Sequence, residues 1–567
     1  MGYSSDINVQ ILISLLKKHK IKKIVASPGV ANIHFVASVQ NDSFFEVYSS
    51  VDERSAAYIA CGMAVESEEP VVISCTGATA SRNYMPGLTE AFYRKIPVLA
   101  VTSTREISKC GQNIPQMIDR STTPNDIVKK SVHIPNIQNE KEKNDYIRII
   151  NDALLELKRD GGGPVHINLT NNYSRDFNTT DLPNCLMINR FTVFDKLPDI
   201  PKVHSIAVMM GAHKRLSHEE IKALEDFCTA TGAVVFADQI SNYRGKYAVN
   251  PLLLMFQEEY FSDCFNVDLM ISIGDVYGMD YSKINPKKVW RVNEDGEVRD
   301  TFGHLESVFE MKEEFFFRYY ADKSKDFPST DSYMKKWEKE INSIPIPELP
   351  YSNIWIAQTT INLIPPKSQL HFGIQNSLRS WNFFTRKDLE AYCNTGGFGI
   401  DGCMSSFVGA SLCNPDKLYF LVIGDLAFFY DINVLGNRHI GNNIRILLVN
   451  NGLGQQFKNP GSFGSIFGDK TNLFIAAGGH HGNQSPDLIK NFSSNLGFQY
   501  LAARTKEEFL NEVKHFTATK SEKPILFECF PSSDEESGAM YLIKHILRSD
   551  KLMIKKQIKS VMKHILK

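Results

Sequence analysis

Two strand ends in the last third of the chain carry oxygen ligands of the kind that bind Mg²⁺. Asp425 follows the apolar run LYFLVIG, and Asn451 follows the run IRILLVN. Because the carboxyl ends of parallel strands meet at one edge of a sheet, these two side chains are expected to lie close together. A carboxylate and an amide oxygen suit a hard cation that shares its ligands with phosphate groups. The alternative is two ordinary turns, since the dipeptides Gly-Asp and Asn-Asn are common after buried strands.

The elements that must position these residues are short apolar strands that alternate with helical patterns. Continuous apolar runs between helices predict parallel sheets that helices cover on both faces. In the first segment the runs are KKIVASPG, FFEVYSS, PVVISCTG, IPVLAVTST and GPVHINLT. In the middle segment they are SIAVMMG, GAVVFAD, VDLMISIGD and KKVWRVN, and in the third KSQLHFG, KLYFLVIGD, IRILLVNN and KPILFECF.

The predicted fold class is α/β, with three doubly wound parallel-sheet domains. A chain of 567 residues is too long for one hydrophobic core. The predicted domains are residues 1–184, 190–345 and 350–545, and a basic amphipathic helix is predicted for residues 546–567. The outer two domains have the same strand-rich character, which hints at a duplication.

Composition favours an enzyme that acts on small molecules. Lys plus Arg number 63 and Asp plus Glu 64, so no global charge favours nucleic acid or a membrane surface as partner. The 10 cysteines are scattered without metal-binding spacing, which is typical of a reducing compartment. The N-terminal apolar stretch is followed rather than preceded by charge, which predicts a first helix instead of a signal peptide. With no apolar run long enough to span a bilayer, we expect a cytoplasmic protein.

The order of motifs along the whole chain resembles that of thiamine-diphosphate-dependent enzymes of the acetolactate synthase and 2-oxo acid decarboxylase type. The first third contributes Ser27-Pro28-Gly29, Asp52-Glu53-Arg54, Cys75-Thr76-Gly77 and Thr104-Arg105. The last third contributes Gly399-Ile400-Asp401-Gly402, Gly424-Asp425-Leu426 and Asn450-Asn451-Gly452. Two half-motifs in the correct order are far more specific than either one alone.

The resemblance implies a role for individual residues. It assigns Glu53 to the catalytic contact with the aminopyrimidine ring of the cofactor. It assigns the metal to Asp425, Asn451 and the Leu453 carbonyl, and it implies that Ile400 supports the bent cofactor from below. The remaining cofactor-binding positions that it implies are Ser27, Pro28, Gly29, Thr76, Gly77, Gly424 and Leu426, where Leu426 replaces the usual glycine.

Within this family the motifs are closest to those of the branch that serves menaquinone biosynthesis. Three arginine positions of that branch differ here, because Val30-Ala31, Thr395 and Trp381 stand in their place. Bidentate carboxylate recognition by a guanidinium cannot be supplied by these side chains, so a less acidic substrate, such as pyruvate or another short 2-oxo acid, is expected. The substrate-binding candidates are Arg105, Gln112, Trp381 together with Phe383 in an apolar site, Thr395 and His481 in the glycine-rich stretch AAGGHHGNQ. For the histidine, a surface turn is the alternative.

The expected activity is decarboxylation of a 2-oxo acid with transfer of the acyl unit to a carbonyl or enone acceptor. Release of a simple aldehyde and a catalytically silent structural or regulatory relative are the two alternatives. The resemblance implies thiamine diphosphate and Mg²⁺ as cofactors, and a homodimer or homotetramer with active sites between subunits. The middle segment lacks the pattern G-x-G-x-x-G, so neither flavin nor a nucleotide is expected there.

Overall fold

The structure is a computed structural model that describes residues 2–119, 123–278, 281–325, 332–386, 388–479, 485 and 487–547. Tertiary contacts divide the described residues into two units. The first comprises Met1–Lys196 with Asp295–Glu310, and the second comprises Leu197–Glu294 with Met311–Lys567. Most of the predicted C-terminal helix, from residue 548 onward, and His481 lie outside the described residues.

Strands and helices alternate through the N-terminal part of the chain. The strands there are β1 (Lys23–Ala26), β2 (Glu46–Ser49), β3 (Val71–Thr76), β4 (Val98–Thr104), β5 (Lys130–Ile134), β6 (Val165–Thr170) and β7 (Asn189–Thr192). The helices are α1 (Ile7–Lys18), α2 (Ile33–Gln40), α3 (Glu53–Ser67), α4 (Thr79–Asn83), α5 (Met85–Tyr93) and α6 (Glu140–Glu156).

The middle part contains shorter strands. These are β8 (Ile206–Met210), β9 (Val234–Phe236), β10 (Ala248–Val249), β11 (Asn266–Val267), β12 (Leu269–Ile273), β13 (Asn285–Pro286), β14 (Val289–Val292) and β15 (Leu305–Glu310). Its helices are α7 (His218–Thr231), α8 (Leu252–Met255), α9 (Glu313–Lys323) and α10 (Ser332–Asn342).

The C-terminal part returns to longer alternating elements. Its strands are β16 (Gln369–Phe372), β17 (Glu390–Cys393), β18 (Tyr419–Gly424), β19 (Ile444–Val449), β20 (Gln499–Ala503) and β21 (Ile525–Cys529). Its helices are α11 (Asn353–Thr360), α12 (Asn376–Asn382), α13 (Cys403–Cys413), α14 (Asp425–Tyr430), α15 (Thr471–Phe474), α16 (Asp487–Asn495), α17 (Lys506–Phe516) and α18 (Ser533–Lys544).

The first unit is built on a parallel sheet with the strand order β2-β1-β3-β4-β6-β5. Successive residues of β3 face opposite sides, so Val72 packs into one core with α1 and α6 while Val71 and Ile73 pack into a second core with α3 and α5. Both cores are apolar because helices cover both faces of the sheet. Within the same unit, β15 pairs in parallel with β7.

The second unit holds two larger sets of parallel strands. Strands β10, β9, β8, β12 and β14 lie side by side in that order. A separate sheet has the order β17-β16-β18-β19-β21-β20, with one core on each face. In this last sheet Gly424 is the register partner of Val449, so the residues that follow β18 and β19 emerge next to each other.

The predicted α/β class with parallel, doubly wound sheets is confirmed, since the ladders of the first and last sheets are all parallel. The predicted domain boundaries stay predictions. The first helix predicted from the sequence is α1, whose residues from Asn8 to Leu16 are buried. Within the described part of the chain, no helix has both the length and the apolar character needed to cross a bilayer.

Candidate cofactor site

Asp425 lies at the carboxyl end of β18, as the first residue of α14, and its side chain is buried. Its carboxylate accepts two backbone hydrogen bonds, from the N–H of Leu426 at 2.7 Å and from the N–H of Gly452 at 2.6 Å. The second bond joins the ends of two neighbouring strands. Burial raises the pKa of the Asp425 carboxyl to about 7, against backbone hydrogen bonds that lower it.

The two asparagines after β19 have separate environments. Asn450 is buried and donates from Nδ2 to Oε1 of Glu528 at 2.7 Å, and the hydroxyl of Tyr500 donates to the other oxygen of that carboxylate at 2.7 Å. Burial raises the pKa of Glu528. Asn451 is half-buried, and its Oδ1 accepts from the N–H of Leu453 at 3.4 Å. Asn450 therefore stabilises the sheet, while Asn451 is placed in the loop beside Asp425.

A buried glutamine fixes this loop two residues after Leu453. Gln455 accepts from the Ser533 hydroxyl at 2.8 Å and donates from Nε2 to the Ser537 hydroxyl at 3.0 Å. The same amide nitrogen lies 3.1 Å from Oδ1 of Asn459. These bonds connect the loop to α18, so the carbonyl and amide oxygens near Asp425 are held by a satisfied polar network.

The residues at these strand ends fit a magnesium-bound diphosphate. The Asp425 carboxylate is buried among backbone N–H groups, and a bound cation offsets the cost of burying its charge. Next to it, a Cβ built on Gly424 would meet no atom within 4 Å, so the backbone is open to a ligand at that point. Gly452 has φ +80°, a backbone conformation that favours glycine.

The segment before α13 carries the other predicted residues of this half. Ile400 is 38% exposed, so its apolar side chain is available to a ligand at the end of β17. Gly402 caps α13 with φ +69°. Thr395 is buried and its N–H donates to the Cys393 carbonyl at 2.8 Å.

In the first unit, Glu53 is the first residue of α3 and follows β2. Asp52 caps this helix by accepting from the N–H of Arg54 at 2.9 Å, which leaves the neighbouring Glu53 carboxylate for other contacts. Asn83 donates from Nδ2 to Oε2 of Glu53 at 3.2 Å. Burial raises the pKa of the Tyr84 hydroxyl well above its ordinary value, and the thiol of Cys75 and the Glu53 carboxylate raise it further.

The loop after β1 packs tightly against the end of β3. The Ser27 N–H donates to the Ser74 carbonyl at 2.8 Å, and Pro28 continues the chain to Gly29. A Cβ on Gly29 would lie 2.6 Å from Cβ of Thr76, so only glycine fits there. Gly77 is buried and follows Thr76 directly.

A residue with a strained backbone follows Gly77 in the loop after β3. Ala78 has φ +57° and ψ −134°, a conformation that residues with a Cβ rarely adopt. Such strain persists only when the surrounding structure holds it, and it concentrates at binding sites.

The predicted substrate residues fall in two different environments, exposed and buried. Arg105 is exposed, and its guanidinium lies over the ring of Tyr173 at 4.5 Å from the centroid. Gln112 is exposed. Trp381 is 1% exposed, packs against Phe372 and donates from Nε1 to Oδ1 of Asn353 at 3.2 Å.

The structure thus places Trp381 in the hydrophobic core of the last sheet. Phe383 is also buried, and its ring packs edge-on against Phe256 at 5.1 Å. The physical reason is the orientation of α12, whose inward face carries the tryptophan. The sequence pattern showed a helix but could not show which of its faces packs against β16.

Sequence reasoning did not assign three residues that matter to the geometry. They are Asn83, which contacts Glu53, Ala78, which is strained, and Asn450, which is committed to Glu528. The doubled asparagine after a buried strand was the one signal available for the last of these. The other two depend on tertiary contacts that sequence spacing does not reveal.

Comparison with known families agrees with the resemblance that the motifs of the first third indicated. The model described as "Thiamine pyrophosphate enzyme, N-terminal TPP binding domain" matches residues 8–123, a stretch that contains Ser27, Glu53 and Thr76. The chain belongs to the family of thiamine-pyrophosphate-dependent enzymes, and the resemblance predicted from its motifs is confirmed.

Within this family the chain is similar to bacterial proteins named 2-succinyl-5-enolpyruvyl-6-hydroxy-3-cyclohexene-1-carboxylate synthase. The protein from Bacteroides thetaiotaomicron is 30% identical over 96% of this chain and 100% of its own length. The protein from Bacteroides fragilis is 30% identical over 96% of this chain and 100% of its own length. The protein from Flavobacterium psychrophilum is 28% identical over 79% of this chain and 84% of its own length.

Proposed function

We propose that this enzyme binds thiamine diphosphate through Mg²⁺, decarboxylates a 2-oxo acid and transfers the acyl unit to a carbonyl or enone acceptor. The observation that carries the proposal is the buried Asp425 carboxylate, held by two backbone N–H groups at the joined ends of β18 and β19. A hard cation with phosphate oxygens as its further ligands is the group that such a site suits.

Different residues would bind different parts of the cofactor. Asp425, Oδ1 of Asn451 and the Leu453 carbonyl would hold the metal, and Gly424 would let the diphosphate approach the backbone. Glu53 would bind the aminopyrimidine ring through its carboxylate, which Asn83 orients. When bound, thiamine diphosphate would supply a nucleophilic carbon for the carbonyl of the 2-oxo acid and a cationic ring that takes up the electron pair left when CO₂ departs.

Transfer to an acceptor is favoured over release of an aldehyde by the names of the relatives. All of those quoted are synthases whose named product contains both a succinyl and an enolpyruvyl group. A protein 30% identical to such a synthase over its full length is more economically explained as a carboligase than as a simple decarboxylase.

Exposed apolar side chains support a homo-oligomer, dimer or tetramer. Beside Glu53, strand β2 is exposed along its length and includes Val47 and Tyr48, and α3 exposes Tyr58 and Ile59. In the second unit, the segment that follows the loop with Asn451 and Leu453 exposes four large apolar side chains, those of Phe463, Ile466, Leu473 and Phe474. Groups of exposed apolar side chains of this kind support an interaction site, and a second copy of the chain is the partner that the family resemblance implies.

The ten cysteines are all free, which supports a reducing compartment, and we propose the cytoplasm. The small-molecule partners proposed are one 2-oxo acid and one acceptor. The near balance of acidic and basic residues gives no support to nucleic acid as a partner.

The decisive experiment is calorimetric titration of thiamine diphosphate into metal-free protein, with and without Mg²⁺, for wild type and for Asp425→Ala. We expect Mg²⁺-dependent binding that weakens at least ~100-fold in the variant, because the removed carboxylate is a direct ligand of the metal. Asp431→Ala is a suitable comparison, since this nearby carboxylate is occupied by the N–H and hydroxyl of Ser405 at 2.6 and 2.7 Å.

Wild-type protein that binds no thiamine diphosphate under any condition would favour the catalytically silent alternative. Equal binding by wild type and Asp425→Ala would refute the metal assignment and leave the family assignment intact. CO₂ release from a panel of 2-oxo acids, with and without acceptors, then separates a carboligase from a decarboxylase.

A further inference from the structure

Glu536, in the first turn of α18, is a buried carboxyl group that two other helices contact. Its Oε1 accepts the backbone N–H of Asn353, the first residue of α11, at 2.9 Å. The side chain of Asn376, the first residue of α12, also hydrogen-bonds this carboxyl group. Glu536 therefore connects the first turns of three helices in the second unit.

Two further amide side chains connect Asn376 to the loop that follows β19. Oδ1 of Asn376 accepts from Nδ2 of Asn459 at 3.0 Å. Oδ1 of Asn459 in turn accepts from Nε2 of Gln455 at 3.1 Å, and both of these residues are buried. A chain of side-chain amides thus runs from Glu536 to a residue only two positions after Leu453.

The direction of the hydrogen bonds in this chain is set at the end where Glu536 lies. A carboxylate only accepts hydrogen bonds, whereas an amide side chain has one accepting and one donating end. Asn376 must turn its Nδ2 toward the carboxylate, which leaves its Oδ1 for Asn459. Asn459 in turn presents its Oδ1 to Gln455, whose own Oε1 accepts from the Ser533 hydroxyl at 2.8 Å. One acceptor therefore orients every amide in the chain.

This orientation bears on the loop from Asn451 to Gln455, here called the metal loop. Before Leu453, the Gly452 N–H donates to the Asp425 carboxylate at 2.6 Å. After Leu453, the amide chain holds Gln455. Mg²⁺ needs its ligands at about 2.0–2.1 Å in nearly octahedral geometry, so a small displacement of the Leu453 carbonyl would weaken metal binding.

The carboxyl group of Glu536 is ionised at mildly alkaline pH. Burial and the charges of Glu535 and Asp425 raise its pKa to about 7, against hydrogen bonds from Asn353 and Asn376 that lower it. At about pH 8 most molecules therefore carry the carboxylate, which is the form that only accepts.

We propose that Glu536 is a positioning residue for the metal loop, because its carboxylate fixes the direction of the amide chain that ends at Gln455. The proposal rests on the proposed function, in which the Leu453 carbonyl is a ligand of the metal. It adds a residue that acts on this ligand from a distance, through Asn376 and Asn459.

The first test is hydrogen exchange of the backbone N–H groups of residues 452–456 in the free protein at about pH 8. Glu536→Gln keeps the size of the side chain but presents a donor where Asn376 also presents one. We expect exchange in this loop to become about 5- to 10-fold faster, the effect of losing one hydrogen bond. Glu535→Gln is the matched control, since it can still cap α18 through Ser532, and it should exchange as wild type does.

A double variant tests the direction of the chain. When Asn376→Asp is added to Glu536→Gln, the group that only accepts moves one position along the chain. The new amide can donate to the new carboxylate, which still accepts from Asn459. Exchange in the loop should return to within about 2-fold of the wild-type rate, because the two changes compensate each other.

The second test is the Mg²⁺ concentration that gives half-maximal binding of thiamine diphosphate, measured by calorimetry at about pH 8. We expect it to rise about 10-fold in Glu536→Gln, since residues behind metal ligands commonly change metal affinity by about 10- to 100-fold. Asn459→Ala breaks the same chain at its middle and should have a similar effect. Combining it with Glu536→Gln should add little, because both changes act through the same contacts.

Unchanged exchange of residues 452–456 in Glu536→Gln overturns the proposal, and so does a double variant that exchanges as fast as Glu536→Gln alone. Faster exchange with an unchanged requirement for Mg²⁺ also overturns it, because the loop would then be held for another reason. Thermal unfolding identifies a variant that fails to fold, and Asn459→Ala then decides.

Failure of the proposed function has a different signature, which is wild-type protein that binds no thiamine diphosphate at any Mg²⁺ concentration. The exchange experiment needs neither metal nor cofactor, so it still tests whether Glu536 holds the loop in that case.

Discussion

Strands β1 to β6 of the first unit run in the order β2-β1-β3-β4-β6-β5, and strands β16 to β21 of the second unit run in the order β17-β16-β18-β19-β21-β20. Numbered from the first strand of each sheet, the two orders are identical. This agrees with the duplication that the strand-rich character of both segments suggested. The shared topology allows each functional residue to be compared with its counterpart at the end of the equivalent strand.

The comparison shows different chemistry on equivalent strand ends. The second strand leads to Glu53 in the first sheet and to Ile400 in the last. The third leads to the buried Gly77 in one and to Asp425 in the other. A common framework thus provides equivalent positions, and on the proposed function the side chains at those positions decide whether a half binds the ring or the charged groups of the cofactor.

The largest effect is expected at Glu53, the acidic residue that begins α3 after strand β2 of the first sheet. Glu53→Gln should lower turnover about 10²- to 10⁴-fold, because the amide cannot exchange a proton with the cofactor ring. Thiamine diphosphate binding should stay close to that of wild type, in contrast with Asp425→Ala. Stopped-flow CO₂ release and calorimetric titration measure the two quantities.

Asp52→Asn is a matched control for this variant, since an asparagine also caps a helix. It should retain both turnover and binding. If Glu53→Gln turned over as fast as wild type, the assignment of catalysis to the first sheet would be wrong.

Gly29 near the first sheet and Gly424 in the last sheet are expected to differ in what an added methyl group does to stability. Gly29→Ala should reduce the free energy of unfolding by about 1–3 kcal/mol, because its Cβ would lie 2.6 Å from Cβ of Thr76. Gly424→Ala, at a φ of −81° and with no atom within 4 Å of the new Cβ, should change it by less than about 1 kcal/mol. Urea denaturation measures both.

In cofactor titrations the two variants should rank the other way, with the larger effect at Gly424→Ala than at Gly29→Ala. Gly424→Ala is expected to weaken thiamine diphosphate binding, because its methyl group occupies open space at the ligand edge. If both glycine variants lost stability equally, the distinction between a packing glycine and a ligand-approach glycine would be refuted.

The smallest effect is expected at Glu536, a buried residue of α18. Burial raises the pKa of its carboxyl to about 7, and the charges of Glu535 and Asp425 raise it further against hydrogen bonds from Asn353 and Asn376. A folded-state pKa above the unfolded value favours the protonated native state. This contribution is complete at acid pH and is lost as the pH rises through about 7.

Between pH 6 and pH 8, Glu536 should therefore cost the wild type about 1 kcal/mol of unfolding free energy. Glu536→Gln, which still accepts the Asn353 N–H, should lose correspondingly less stability over that interval. Parallel pH dependences in chemical denaturation would show that Glu536 does not titrate in this range.

Most interior strands were predictable from the sequence, whereas most edge strands were not, with β2 (in the run FFEVYSS) as the exception among the edges. Strands β3, β4, β18 and β19 are buried along almost their whole length, so they read as continuous apolar runs. Strands β5, β17 and β20 lie at or near sheet edges with mixed burial, and none of them was predicted. Their residues have a less distinctive pattern because one side of each strand meets solvent or loops.

The candidate site was predictable where strand ends define it. Asp425 and Asn451 were found because parallel strands place their carboxyl ends together. The core position of Trp381 depends on the rotation of α12 against the sheet. The spacing of residues along the helix alone could not indicate which side chain packs inward.

The adjacent asparagines after β19 have a consequence for how such enzymes change over evolutionary time. Asn450 belongs to the folded framework through Glu528, whereas Asn451 has its half-buried side chain in the loop. If Asn451 holds the metal as proposed, a single substitution at this position is expected to abolish the chemistry without unfolding the chain. On the same proposal, one substitution would be enough to turn an active enzyme into an inactive protein with the same fold.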